Sequence, residues 1–249
     1  MNKLITFSAL FLVAFLAGAQ DATDERMYHA YLSPQKATDA WKQAVADRKA
    51  ALQANPANNQ AAFQLALAQF GLLSATMRFQ DEDLFDEYYD ATVDNLKSLI
   101  ESNKSWGEPN ALLSAVYGLK MGYSPMQGMF LGSKSNSLTE RAKKLSPQSP
   151  LVWTVYANAK FFTPEMWGGD LAEAIEGYEA CIRFYESDPQ HLKYNWLYLD
   201  ALAFQGQAYV KNGDTGKAIA AYEKALKAEP TFSWVRDNLL PAARKQPAK

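Results

Sequence analysis

The chain has 249 residues and a formal charge of −2, from 25 Lys and Arg against 27 Asp and Glu. A charge this small and this mixed argues against a nucleic-acid-binding protein and against electrostatic attachment to an anionic membrane. The 13 Tyr, 13 Phe and 6 Trp argue against disorder, and a single Cys excludes an internal disulfide.

The N-terminus has the pattern of a secretory signal peptide. Lys3 gives a basic start, residues 4–16 form a nearly unbroken apolar run, and residues 17–19 read Ala-Gly-Ala, a small-residue cleavage site. A retained membrane helix is the alternative, but it needs about 20 apolar residues and this run is shorter. Since no Cys lies near the cleavage site, a lipoprotein is not expected. We predict that residues 1–19 are removed on export and that residues 20–249 form one periplasmic or extracellular domain, which meets the membrane only through the signal peptide.

Residues 34–147 carry helix patterns that form more divergent repeats. Ser33 and Pro34 predict a helix start, as a cap followed by proline at the first helical position. Apolar residues at helical spacing then predict further helices. A capping box at Ser137–Glu140 predicts another start, as does a second capping box at Asp170–Glu173 farther along the chain. Three helical segments are marked by Phe63, Ala66, Phe70, Leu73 and Met77, by Phe85, Tyr88, Thr92, Leu96, Leu99 and Ile100, and by Leu112, Leu113, Val116 and Tyr117.

Clearer repeats occupy residues 150–230. The stretch from Leu199 to Pro230 carries small, aromatic and turn residues in the register of a 34-residue helix-pair repeat. A second copy of the pattern precedes it, with about fifteen extra residues in two turns, and a capping helix is expected near residues 232–244. The matching positions are Gly206, Ala208, Tyr209, Gly213, Ala218, Tyr222, Ala225 and Pro230. Within this repeat, Gly213 predicts the end of one helix and Asp214 predicts a capped start of the next.

On these residues the chain resembles the tetratricopeptide repeat (TPR) superfamily. The segments at 128–134 and 162–169 are also similar to secreted Gram-negative repeat proteins, which are distantly related to the T component of TRAP-type transporters. The resemblance implies an all-α, right-handed solenoid of about four antiparallel helix pairs with a concave face. It also implies binding of proteins, peptides or sometimes small molecules, and no intrinsic chemistry.

The residues themselves offer little catalytic chemistry. With His29 and His191 as the only histidines, no spacing suits a zinc site, and no Gly loop suits a phosphate. Cys181 falls at a repeat position that takes a small buried residue, so it is interpreted as structural. The acidic run at Asp81–Asp83 is interpreted as a solvated helix start. We therefore predict no enzyme, no cofactor and no metal.

Two connectors rich in aromatic residues and Met are candidate binding features. Tyr123 and Met129 lie in the first connector, and Phe162 and Trp167 lie in the second. Such side chains suit adaptable binding surfaces, but they are also compatible with a plug that folds back over the solenoid. The two alternatives stay open at the sequence level.

The repeat register also predicts which residues line the concave face. One repeat contributes Asn158, Phe161 and Phe162, and the last repeat contributes Asp200, Gln207, Val210 and Lys211, with Lys160 and Asn195 near the rim. A polar groove of this kind favours a protein or peptide partner in the cell envelope. A closed aromatic pocket would instead favour a small apolar or carboxylate ligand of a periplasmic transport system.

Overall fold

The structure, a computed structural model, describes residues 22–33 and 37–246. The described residues are almost entirely helical and contain no strand. Residues 22–32 form α1. The remaining helices are α2 (Ala37–Ala54), α3 (Asn59–Phe79), α4 (Glu82–Ser102), α5 (Glu108–Tyr123), α6 (Gly128–Leu145), α7 (Pro150–Phe162), α8 (Leu171–Glu186), α9 (Trp196–Asn212), α10 (Thr215–Ala228) and α11 (Leu240–Arg244), with 3₁₀ turns at Pro125–Gln127, Glu165–Trp167 and Pro189–Leu192 and a π-helix at Trp234–Leu239.

The helices are arranged as antiparallel pairs. Extensive contacts join α3 to α4, α5 to α6, α7 to α8 and α9 to α10. The first helices of successive pairs also contact one another, from α3 through α5 and α7 to α9. They therefore form the inner layer of a solenoid, and the second helices form the outer layer. This architecture confirms the all-α solenoid predicted from the sequence.

Local side-chain capping explains where several helices begin. In each case a side-chain oxygen accepts a hydrogen bond from the backbone N–H three residues later, which satisfies a donor that the helix itself leaves free. The capping box at Asp170 behaves in this way, since its carboxylate accepts from Glu173 N at 2.9 Å. The capping residues are Asn58, Asp81, Ser149, Asp170 and Asn195.

Two local predictions were wrong. Ser137 does not start a helix, because α6 is continuous from Gly128 to Leu145. The interior of this helix instead buries hydroxyl groups against α5, where Ser114 Oγ lies 2.8 Å from Ser135 Oγ and 2.6 Å from Thr139 Oγ1. Asp214 precedes α10 but does not cap it.

Other predictions fall at the margins of the described residues. The signal peptide at 1–19 and the expected cap-and-proline start at Pro34 lie outside them. The predicted capping helix near 232–244 is built from the π-helix and α11. Within the described part of the chain, every helix is too short or too polar to cross a bilayer.

Candidate functional site

A continuous series of aromatic rings links the first helices of the pairs to α1 and to the C-terminal segment. Neighbouring rings have centroids 5.1–6.2 Å apart, within the usual range for aromatic pairs. The series begins on α7 and passes through α9 and the C-terminal segment to α1. From α1 it returns to the start of α9, which contacts α2 and α3. In order it contains Phe162, Phe204, Trp234, Phe232, Tyr31 and Trp196, with Trp41 and Phe70 both against Trp196.

The N-terminal helix α1 fills one end of this concave face. Tyr31 donates a hydrogen bond to Asp200 of α9 at 2.9 Å, and Tyr28 donates to Glu229 after α10 at 2.9 Å. Ion pairs join Arg26 to Asp47 and Asp24 to Arg48, which fix α1 to α2. A helix from the start of the chain thus lies between α2 and the last helix pair.

Asp200 is a half-buried carboxyl group that faces α1. Burial raises its pKa to about 7, against the smaller opposing effects of the Tyr31 hydroxyl and the Arg78 guanidinium. Arg78 is exposed, and its guanidinium carbon lies 5.8 Å from the centre of the Trp234 ring. The Tyr31 hydrogen bond makes this carboxyl group a structural partner of α1.

A cleft of about 310 Å³ lies where α7, α9 and α10 meet the C-terminal helix. Lys211 places its ammonium 5.4 Å from the centre of the Phe161 ring at this cleft. Gln207 Nε2 is buried and has no hydrogen-bond partner among the described residues. The cleft therefore combines apolar walls with an unpaired donor and a cation. Its lining is Phe161, Gln207, Val210, Lys211, Tyr222, Leu239, Ala242, Ala243 and Gln246.

The large apolar side chains that are exposed lie at one edge of the solenoid. In antiparallel pairs, every turn from a first helix to its second helix falls at the same edge. We call this the turn edge, and it contains the turns after Phe79, Tyr123, Phe162 and Asn212. Among the described residues, all the exposed large apolar side chains are at or beside these turns, with 45–83% of their surface accessible. They are Phe79, Met126, Met129, Phe130, Phe162, Met166 and Trp167.

The connector residues predicted from the sequence separate into packed and exposed groups. Tyr123 packs against Phe85 at 4.7 Å between ring centres. Met129 and Trp167 are exposed, so they do not plug the solenoid. Phe162 is exposed but also contacts Phe204. None of these four residues lines the cleft at Phe161.

The residues predicted to line the concave face are likewise divided. Phe161, Gln207 and Lys211 come together at the cleft. Asn158 faces its partner helix, where its side-chain oxygen accepts from Tyr178 at 2.6 Å. At the rim, Lys160 pairs with Glu173 at 2.7 Å, and Asn195 caps α9.

Sequence reasoning missed the contributions of α1, Arg78, Phe204 and Trp234. Phe204 lies one helical turn before Gln207 on α9, so the helical period could have placed it on the same face. Tyr28 and Tyr31 gave no comparable signal, because their partners lie 201 and 169 residues away in the chain.

Cys181 has the structural role expected from its repeat position. Its thiol donates to the backbone oxygen of Tyr178 at 3.2 Å, and burial raises its pKa to about 12. The thiolate is the nucleophilic form of cysteine, so the thiol is unreactive at neutral pH. No group of His, Cys, Asp and Glu within 22–33 and 37–246 is arranged to hold a metal ion.

Comparison with known proteins identifies the repeat. Residues 199–232 match the family model described as Tetratricopeptide repeat. A solved structure of a thermophilic TPR protein from Thermus thermophilus is similar at a TM-score of 0.58 and 15% identity, over 85% of this chain and 93% of that one. Yeast Tom70 shares 10% identity over 84% of this chain and 60% of its own, but its TM-score of 0.20 is too low to bear on the fold. None of the curated proteins compared with the sequence matches it.

At these identities the structural likeness concerns the fold alone. The repeat match and the Thermus structure support the TPR superfamily. The comparisons do not bear on the expected similarity to the T component of TRAP-type transporters.

Proposed function

We propose that this protein is an exported, non-catalytic TPR scaffold that binds a protein partner of the cell envelope at its turn edge. The observation that carries the proposal is the segregation of exposed Met, Phe and Trp side chains to this edge. A monomeric surface rarely exposes many large apolar side chains in one region, and such regions commonly mark binding sites. The concave face offers less room, because α1 occupies part of it.

Site-specific photo-crosslinking in the native host tests this binding surface. A photoreactive residue at position 129 on the turn edge should cross-link one protein reproducibly. The double variant Phe130→Gln/Trp167→Gln should reduce that product, since it removes exposed apolar contacts without opening the core. As a control, the same photoreactive residue at position 51, on an exposed face of α2, should give no such product. Equal labelling from both positions would refute a turn-edge interface.

Export is the other part of the proposal. It is supported by the basic start, apolar run and small-residue site of residues 1–19. Mass analysis of the protein recovered from the periplasm should show that its chain starts at Gln20. Recovery of the unprocessed chain from the cytoplasm would refute this assignment.

A second candidate function is small-molecule binding, as an accessory of a periplasmic transport system. It is favoured by the cleft at Phe161, where Gln207 Nε2 is unpaired and Lys211 supplies a positive charge. A ligand with an apolar body and a carboxylate would satisfy both polar groups. Native mass spectrometry of the periplasmic protein, before and after denaturation, tests this function. A small mass that is released on denaturation, and that is lost in Gln207→Leu/Lys211→Leu, would support the second function.

A further inference from the structure

The turn edge is acidic beside its exposed apolar side chains. Asp81, Glu82, Asp83, Asp86 and Glu87 lie within the first turns of α4, and all five are exposed. Asp86 pairs with Lys120 at 2.7 Å, and Asp81 caps α4. Among the described residues, no ion pair engages Glu82, Asp83 or Glu87. Their charge is therefore available to a partner.

These acids lie next to the apolar part of the edge. The start of α4 contacts the end of α5 through the Lys120–Asp86 ion pair and through the rings of Phe85 and Tyr123, 4.7 Å apart. The chain then runs from Tyr123 directly into Met126 and Met129. A segment seated on the two Met side chains would therefore also be near the acids of α4.

We propose that the turn edge binds a basic amphipathic segment of the protein partner. Apolar side chains of that segment would bury Met and aromatic surface, and its Lys or Arg side chains would face the unpaired acids of α4. Met suits such an interface because its flexible side chain adapts to different apolar shapes. This inference rests on the proposed function and specifies the chemistry of the partner.

A membrane surface is the competing occupant, since Phe and Trp also insert into lipid interfaces. The charge distribution disfavours it. Peripheral proteins approach anionic lipid with clusters of Lys and Arg, and each carboxylate beside such a surface is repelled. From Arg78 to Tyr88 the edge has five acids and one base, which is the wrong sign for anionic lipid and the right sign for a basic segment.

Binding of designed peptides tests the proposal without knowledge of the natural partner. The probe is an amphipathic helix of Leu and Lys about 18 residues long, or five helical turns. The comparison peptide replaces every Lys by Glu. Fluorescence anisotropy on the mature protein should show binding of the Lys peptide, weakened at about 0.5 M salt because the charges are screened. The Glu peptide should bind at least about tenfold more weakly, since like charges oppose it.

Matched variants locate the binding surface. Glu82→Gln/Glu87→Gln should lower the affinity for the Lys peptide several-fold. The control Glu101→Gln/Glu140→Gln removes the same amount of charge at positions farther along α4 and α6, so it should leave the affinity nearly unchanged. Met129→Gln should weaken binding without changing its salt dependence, because it removes an apolar contact and no charge.

The results separate failure of this inference from failure of the proposed function. Equal affinity for the two peptides, or absence of Lys-peptide binding, would overturn the basic-segment inference. Photo-crosslinking from position 129 would still support a protein partner of other chemistry. Sedimentation with anionic phosphatidylglycerol vesicles, lost in Met129→Gln, would overturn the inference in favour of a membrane surface.

Discussion

The crossing of α9 and α10 depends on the small size of one residue. A Cβ added to Gly206 would lie 2.2 Å from Cε1 of Tyr222, whose ring is buried. At this distance the ring or the helix backbone must shift to admit the methyl group. We therefore expect Gly206→Ala to lower the free energy of unfolding by about 1–3 kcal/mol through overpacking. Urea denaturation of the two proteins measures the difference.

Gly118→Ala is the matched control for this substitution. Gly118 lies within α5, is exposed, and has no neighbouring atom within 4 Å of an added Cβ. Here alanine should stabilise the helix by about 0.5–1 kcal/mol, because it loses less backbone entropy on folding. Equal effects of the two substitutions would contradict a packing origin for the Gly206 effect.

Asp200 predicts a pH dependence of stability. Its folded pKa of about 7 is above its ordinary value of 3.8, so the folded protein binds the proton more tightly than the unfolded chain. Stability from this group is therefore present below pH 4 and is lost as pH rises to about 7, at a slope of at most about 1.4 kcal/mol per pH unit. Asp200→Asn should remove this part of the dependence.

Urea midpoints of wild type and Asp200→Asn between pH 4 and pH 7 measure the effect. The contribution of Asp200 is the difference between the two proteins' urea midpoints at each pH, because the other titrating groups are common to both. Tyr31→Phe should raise the pKa of Asp200 further, since the hydroxyl hydrogen bond favours the carboxylate. Parallel pH profiles for wild type and Asp200→Asn would show that Asp200 does not titrate in this range.

At the scale of helices and turns, α1 is held by contacts that can be removed individually. Tyr28 and Tyr31 join it to the C-terminal half of the chain, and Arg26 lies on the same helix. Loss of the buried Tyr28 ring, the half-buried Tyr31 ring and two hydrogen bonds should favour local opening of α1. In Tyr28→Ala/Tyr31→Ala, trypsin should cut after Arg26 at least about tenfold faster than in wild type.

Mass spectrometry of the early tryptic products follows this cleavage. His29→Ala is the control, because the His29 side chain is exposed on the same helix. It should leave the rate nearly unchanged. Rapid cleavage after Arg26 in the wild type would show that α1 is not stably seated on the concave face.

Helix pairs were predictable from the sequence because their determinants are local. The register of Gly206, Tyr222 and Ala225 reflects contacts within one pair, and Asp170 caps the helix that follows it. The capping box at Ser137 gave a wrong helix start because it, too, is only a local pattern. A capping pattern also occurs inside helices, and only the packing of α6 against α5 shows that the helix continues through it.

The candidate site was only partly predictable. Phe161, Gln207 and Lys211 lie together at one cleft, because the repeat register fixes which side of a helix is inward. The seating of α1 depends on the curvature of the whole solenoid, which no local pattern specifies. The exposure of Met129 and Trp167 likewise depends on whether neighbouring turns fold back over them.

Across the whole molecule, the first and last parts of the solenoid touch. Trp196 of α9 lies 5.3 Å from Trp41 of α2 and 6.1 Å from Phe70 of α3, measured between ring centres. Arg78 of α3 also lies over Trp234 near the C-terminus. An open solenoid couples only neighbouring repeats, so its ends can unfold separately. Contacts between distant helices should instead make this chain unfold as one cooperative unit.

Native-state hydrogen exchange tests this closure. In the wild type, the slowest amides of α2–α3 and of α9–α10 should report the same opening free energy. Trp196→Ala should uncouple them, so that one region opens about 1–2 kcal/mol more easily than the other. Trp153→Ala is the control, because Trp153 packs against Tyr156 of its own helix. Trp153→Ala should lower the opening free energies of α2–α3 and α9–α10 by similar amounts. If α2–α3 already opened well before α9–α10 in the wild type, the ring contacts around Trp196 would not couple the two ends.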